Sequence, residues 1–258
     1  MRSQTPGQIL LGTTLLVLGI VGLIQGNYIA ILEPVPTWMA EQGALADLSA
    51  LLALGCGIGL LWKRTATMAA RVLTAFLLLW MLFKLRLIVL APTVEGSYQS
   101  CGETAVLVAG SWVLYGRLAS EWDRRWLAII TGPRGLRIAR TAYGLALISF
   151  GLSHFAYLDL TAPLVPYWLP SHVAWAYFTG GAYLAAAAAI LINRYARLAA
   201  TLTAVQMGFF LVLVWLPRVA ASRASAFQQG EFLITWALAA SAWVIAESYS
   251  GRPWLAPR

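Results

Sequence analysis

Charge is scarce in this sequence, and so are cysteine and histidine. Only 11% of its 258 residues are charged, against about 25% in an ordinary soluble domain. There are two histidines and two cysteines, Cys56 and Cys101. Two histidines without a His/Cys cluster cannot supply a three-ligand catalytic zinc site. Two lone cysteines in or beside different apolar runs, with no CxxC motif, do not form a disulfide framework. The sequence also has no Walker loop, no GxSxG and no HExxH, so the familiar soluble-enzyme signatures are absent.

Apolar residues are abundant. They make up 60% of the chain, and the mean hydropathy is +0.73. A soluble fold of this size has too little interior to hide that much apolar surface, which points to a polytopic membrane protein. The net charge of +8 then reads as membrane topology rather than as a nucleic-acid footprint, because most basic residues punctuate apolar runs. The run from Ile9 onward stays uncharged to Leu32. That is long enough to span, and the pattern recurs deep in the chain, so a membrane helix fits better than a cleaved leader.

Eight spans of about 20 residues are predicted: 8–32, 45–62, 66–91, 99–119, 137–158, 172–192, 195–217 and 229–248. With the N-terminus inside, 14 of the 18 basic residues fall on the inner side, including Arg2, Arg71, Arg140 and Arg258. The outer side holds Lys84, Arg86, Arg218 and Arg223. It also holds seven of the ten acidic residues, among them Glu33, Glu95, Glu103, Asp159 and Glu231. This bias predicts both termini in the cytoplasm and an inner-membrane location.

The chain also resembles itself at an offset of 128 to 130. Gly22, Gln25 and Tyr28 correspond to Gly151, His154 and Tyr157. Val35, Pro36 and Trp38 correspond to Val165, Pro166 and Trp168, Arg64 to Arg194, and Gly102-Glu103 to Gly230-Glu231. Repetition at a near-constant offset signals duplication. The expected fold is all-α, with eight transmembrane helices as two parallel four-helix bundle repeats. The first repeat covers 1–120 and is degenerate, a basic cytoplasmic linker covers 121–136, and the second repeat covers 137–250. An even number of helices per repeat makes both halves enter the membrane from the same side. Trp122 and Trp126, four apart in the linker, suit one face of an interfacial helix.

The candidate site lies at the outer end of the second repeat. His154 and Tyr157 share a helix face at a spacing of three. Trp175, Arg218 and Glu231 fall at about the same depth. Ionisable groups at membrane depth are costly unless paired, which marks them as functional candidates. His154 is the candidate proton carrier and catalytic residue. Arg218 and Glu231 form a polar clamp, with Tyr157 and Trp175 as the wall, around a ring with carbonyl and hydroxyl groups. Each also has a plainer reading: an ion pair closing the bundle, an interfacial histidine, aromatic-belt residues. The first repeat keeps Tyr28 and Glu103 but has Gln25, which cannot change charge. Lys84, twelve uncharged residues after Arg71, either snorkels or pairs with Glu95, Glu103 or an anionic ligand. The glycines at 55, 57 and 59, and at 180 and 181, suit close helix packing.

The stretches GLSHF at 151–155, TAPLVPYWLP at 161–170, WAYFTG at 175–180, ARLAAT at 196–201 and LVWLPR at 213–218 resemble the DoxX-like family of small four-helix membrane proteins, which also has tandem forms. The resemblance covers about residues 140–245 and is weaker over the first half. It implies a four-helix membrane unit and a quinone-linked redox system, with a quinone as ligand. No redox centre is visible in the sequence, so another subunit or a bound cofactor is expected to supply the electrons. Where related sequences often carry a histidine before the Pro-Arg step, this chain has Trp215, which removes a second ligand or proton carrier. The expected function is therefore a quinone-binding component of a membrane redox system, with the lipid bilayer as partner, no nucleic acid and no metal. The alternatives are a non-catalytic membrane scaffold or partner subunit and, further off, a small-solute transporter.

Overall fold

The structure is a computed structural model that describes residues 4–29, 32, 35–221 and 224–255. Arg2, Glu33, Arg223 and Arg258, which enter the charge bias above, lie outside these residues. Among the described residues the chain is all-helical. Its eight long helices are α1 (Pro6–Gln25), α2 (Gly43–Leu61), α3 (Ala66–Leu90), α4 (Glu95–Leu118), α5 (Pro133–Ala156), α6 (His172–Leu191), α7 (Ala196–Ala220) and α8 (Ala226–Glu247).

Local chemistry sets many of the ends. Thr5 caps α1, accepting from the Gln8 N–H, and Pro6 sits at the first helical position, where a missing N–H is harmless. The same helix stops at Gly26, whose φ of 63° is left-handed and favours glycine. It therefore ends at Gln25, short of the predicted 32. Ser225 caps α8 through a reciprocal box with Gln228. Ser120 does the same with Asp123 in the short helix Glu121–Trp126 of the linker. On that helix Trp122 and Trp126 are 55% and 65% exposed.

Among the described residues six helices are long and apolar enough to cross a membrane: α1, α2, α3, α6, α7 and α8. A seventh follows if α5 is taken together with Leu158–Leu164, from which it is bent by 87°. α4 is not among them: it is less apolar, with Gln99, Glu103 and several Ser, Gly and Tyr residues along its length. It is instead a heavily buried helix. Thr104, Ser111, Leu114 and Tyr115 are enclosed, and α3, α5 and α8 pack around it. Outward faces elsewhere expose Leu51, Ile58, Leu82, Val89, Phe178 and Phe209. That apolar exterior is compatible with membrane insertion.

Helices adjacent in sequence pack side by side from α1 through α8, α8 closes against α1, and α4 meets α8. Small residues permit the closest approaches. A Cβ on Gly57 would lie 2.6 Å from the Leu16 nitrogen of α1, and one on Gly110 would lie 2.6 Å from Cβ of Ser241 on α8. α7 widens to π geometry over Phe210–Trp215, directly before Pro217. Proline has no N–H and its ring crowds the carbonyl four residues back. The Leu216 N–H accordingly bonds the Leu211 carbonyl, five residues away. A proline at a predicted span end gives no warning of this widening.

A candidate ligand cavity between α1, α4 and α8

A cavity of about 700 Å³ opens where α1 ends, α8 begins and α4 passes between them. Its first wall exists because α1 turns sharply at Gly26. The chain doubles back through Asn27 and Tyr28, and Ile29 packs onto Gly22, where a Cβ would lie 2.8 Å from the isoleucine Cγ2. Tyr28 is held in place. Its hydroxyl donates to the Met39 carbonyl at 3.2 Å, and its ring meets Trp80 edge-on at 5.7 Å. Gln25 and Asn27 complete this wall.

The opposite walls bring two carboxyls to the same space, Glu103 from α4 and Glu231 from α8. They lie within electrostatic reach of each other. Lys84 of α3, which is not on the lining, lies within electrostatic reach of Glu103. It is only 2% exposed and its Nζ donates to the Ser100 carbonyl at 3.5 Å, so it points into the bundle and does not snorkel. Leu18, Val21, Phe227, Leu233 and Ile234 supply apolar surface. The lining combines donors and acceptors with hydrocarbon surface, as small-molecule sites commonly do.

A second polar cluster joins α4 to α5. Ser153 Oγ lies 2.6 Å from Glu95 Oε1 and 2.9 Å from Gln99 Oε1. Gln99 Nε2 donates to Glu103 Oε1 at 3.4 Å, and the Gly96 N–H donates to the Tyr157 hydroxyl at 3.0 Å. The other Glu95 oxygen, Oε2, is buried without a hydrogen-bond partner. Ser153 and Gln99 are polar residues within predicted spans. Neither carries charge, so neither stands out in the sequence.

The predicted outer constellation is not gathered in one place. Glu103 and Glu231 share the cavity, with Lys84 within electrostatic reach of Glu103. His154, Tyr157, Trp175 and Arg218 are not on its lining. His154 is part of an aromatic cluster, with ring centroids 5.6 Å from Tyr183 and 5.9 Å from Phe210, the latter stacked. Its Nδ1 is 2.8 Å from the Phe150 carbonyl. A carbonyl only accepts, so Nδ1 carries the proton. Tyr157 is bound to Gly96, as above. Trp175 meets Phe178 edge-on at 5.7 Å. Arg218 donates to the carbonyls of Val214 at 2.6 Å, Pro163 at 3.2 Å and Leu164 at 3.4 Å.

Arg218 thus secures the bent segment after α5. Among the described residues the ion pairs are Arg71–Asp123 and Arg117–Glu247, and neither includes Arg218 or Glu231. The physical reason is direction. α8 packs on α1, α4 and α7, so Glu231 faces the first and fourth helices. The segment that follows the 87° bend after α5 meets Arg218 instead, through the Pro163 and Leu164 carbonyls. No group of three or more His, Cys, Asp or Glu is placed to hold a metal among the described residues.

A family model described as "Domain of unknown function (DUF8561)" matches residues 143–246, from α5 to the end of α8. No curated protein and no solved structure matches the chain.

Proposed function

We propose that this is an integral membrane protein that binds a lipid-soluble ring compound, of the quinone class, in the cavity between α1, α4 and α8. All eight helices cross the membrane, as two parallel four-helix repeats with both termini cytoplasmic. Support for the repeat comes from packing: advancing every helix by four leaves the set of packed pairs unchanged, with α4 and α8 meeting at the centre. The acidic and amide groups of α4 turn toward its neighbours, which allows a helix of modest hydropathy to sit at membrane depth.

One observation carries the ligand reading. Glu103 and Glu231, at corresponding positions of the two halves, converge on one cavity with apolar walls. A carboxyl group donates to a ring carbonyl when protonated and accepts from a ring hydroxyl when ionised. Either carboxyl can thus exchange a proton with a quinone or quinol. Gln25 adds a fixed donor, and Phe227 an aromatic surface. This moves the proton-carrying role from His154 to the carboxyl pair. The DoxX-like resemblance supplies the quinone class, and the electrons come from another subunit or a bound cofactor.

The test is mass spectrometry of organic extracts from the protein purified in native-lipid discs, against empty discs. A quinone enriched near one per protein, and lost in Ile234→Trp, which fills the cavity, is the expected result. No enrichment from a folded, stable protein would overturn the reading and leave a structural membrane subunit in its place.

A further inference from the structure

α5 has two faces with different fates. Tyr143, Leu147 and Phe150 are buried in the bundle. The other face carries Arg134, Arg137, Ile138, Thr141, Ala142 and Leu145, which line an open groove of about 420 Å³. Spacings of three and four make these residues one continuous stripe. Arg134 and Arg137 are exposed, and neither takes part in an ion pair among the described residues. Farther along, Ile138 is 46% and Leu145 55% exposed.

The order along the stripe is charge first and hydrocarbon after. From Arg134 to Leu145 the helix rises about 16 Å, at 1.5 Å per residue. That matches one leaflet, since the whole hydrocarbon core is about 30 Å thick. Just before the stripe, the exposed Trp122, Trp126 and Ile129 mark the interfacial level, where tryptophans settle. The two guanidiniums therefore lie at headgroup depth and Leu145 lies among the acyl chains.

We infer that this groove holds one anionic phospholipid. Its phosphate is bridged by Arg134 and Arg137, and one acyl chain lies along Ile138, Ala142 and Leu145. Guanidinium groups bind phosphate in paired fashion. A choline headgroup would bring its own cation against two arginines, so a headgroup of net negative charge is selected. The inference rests on the membrane-spanning reading but not on the ligand of the α1–α4–α8 cavity. A chain that does not span would fail to enter lipid discs at all, which separates the two failures.

The experiment is native mass spectrometry of the delipidated full chain titrated with phosphatidylglycerol, phosphatidylcholine or inorganic phosphate. One phosphatidylglycerol should bind at least about tenfold more tightly than phosphatidylcholine, and millimolar phosphate should not displace it. Arg134→Gln/Arg137→Gln should reduce that preference to less than about twofold, while Lys63→Gln/Arg64→Gln, an equal loss of charge elsewhere, should keep it. Ala142→Phe, which fills the groove and retains both arginines, should also weaken phosphatidylglycerol binding, so a misfolded double variant leaves the inference testable. An unchanged preference in the arginine or Ala142 variants overturns it. Displacement by free phosphate also overturns it, since that would be a phosphate site without a lipid.

Discussion

Glu247 ties the last long helix to the first. Its Oε1 accepts the backbone N–H of Gly7 at 2.7 Å, across 240 positions of sequence. The other oxygen lies 3.3 Å from Arg117 Nη1, which also donates to the capping Thr5 at 2.7 Å. One carboxylate therefore fastens α1, α4 and α8 at the end of the bundle opposite the cavity. Its place at the start of α1 also suits the positive end of that helix dipole.

Glu247→Ala should lower the thermal midpoint of the protein in detergent, at a cost of about 1–3 kcal/mol, because a backbone donor and a guanidinium lose their acceptor together. Glu247→Gln, which retains an acceptor for Gly7, should cost less. Equal midpoints for the two variants would show that the Gly7 contact contributes nothing.

Asp123 makes stability depend on acid. Burial acts to raise its carboxyl, but hydrogen bonds from Ser120 and Tyr115, with Arg71 beside it, hold it below the usual aspartate value. Tyr115 donates at 2.6 Å and Arg71 at 2.5 Å. An unfolded aspartate titrates near 3.9. The stabilisation is therefore complete above that pH and is lost as pH falls through the lower, folded value. The wild-type thermal midpoint should drop steeply below about pH 4. Asp123→Asn should be less stable at pH 7 by about 2–3 kcal/mol and should lose most of that acid dependence. An Asn variant with the same acid limb would assign the limb to other carboxyls.

Two neighbouring glycines of α2 should respond differently to a methyl group. At Gly57 it would meet the Leu16 nitrogen at 2.6 Å and the Gly12 carbonyl at 2.8 Å, whereas at Gly55 nothing lies within 4 Å. Gly57→Ala should force α1 and α2 apart at a cost of about 1–3 kcal/mol. Gly55→Ala should be neutral or stabilising by up to about 1 kcal/mol, through helix propensity. Thermal unfolding of both variants in one detergent decides the matter, and a harmless Gly57→Ala would contradict the close approach.

Arg218→Ala separates the site suggested by sequence from the cavity found in the fold. It removes the guanidinium that holds the Pro163 and Leu164 carbonyls, and should lower stability by about 1–2 kcal/mol. Ligand retained in the α1–α4–α8 cavity should be unchanged. Loss of ligand from a folded Arg218→Ala protein would restore Arg218 to the binding machinery.

Much of the helical framework was legible because its causes are local. The caps at Thr5, Ser120 and Ser225 are seen only in the structure, where they start α1 at Pro6 and α8 at Ala226, ahead of the expected 8 and 229. The apolar runs between them mark α1 to α3 and α6 to α8 without reference to any neighbour. Gly26 was visible as a glycine, yet nothing adjacent reveals that its φ is 63°, so the first helix was expected to run seven residues too far. The site was legible only in part. Glu103 and Glu231 stood out as acids at membrane depth and as a corresponding pair. Their meeting in one cavity did not, and His154, the more conspicuous titratable residue, packs instead between Tyr183 and Phe210.

The amino-acid sequence by itself determined that the chain is helical, that its surface suits hydrocarbon, and where most helices begin and end. Each of these follows from composition or from contacts within a few residues. Only the tertiary structure decided which face of α8 meets which partner, and therefore that Glu231 looks toward α1 and α4 while Arg218 looks toward the loop after α5. That choice depends on close approaches such as Gly57 against α1 and Gly110 against Ser241, and on the 87° bend after α5. These are relations between distant residues, and an apolar run of uniform hydropathy does not encode which of its sides they will use.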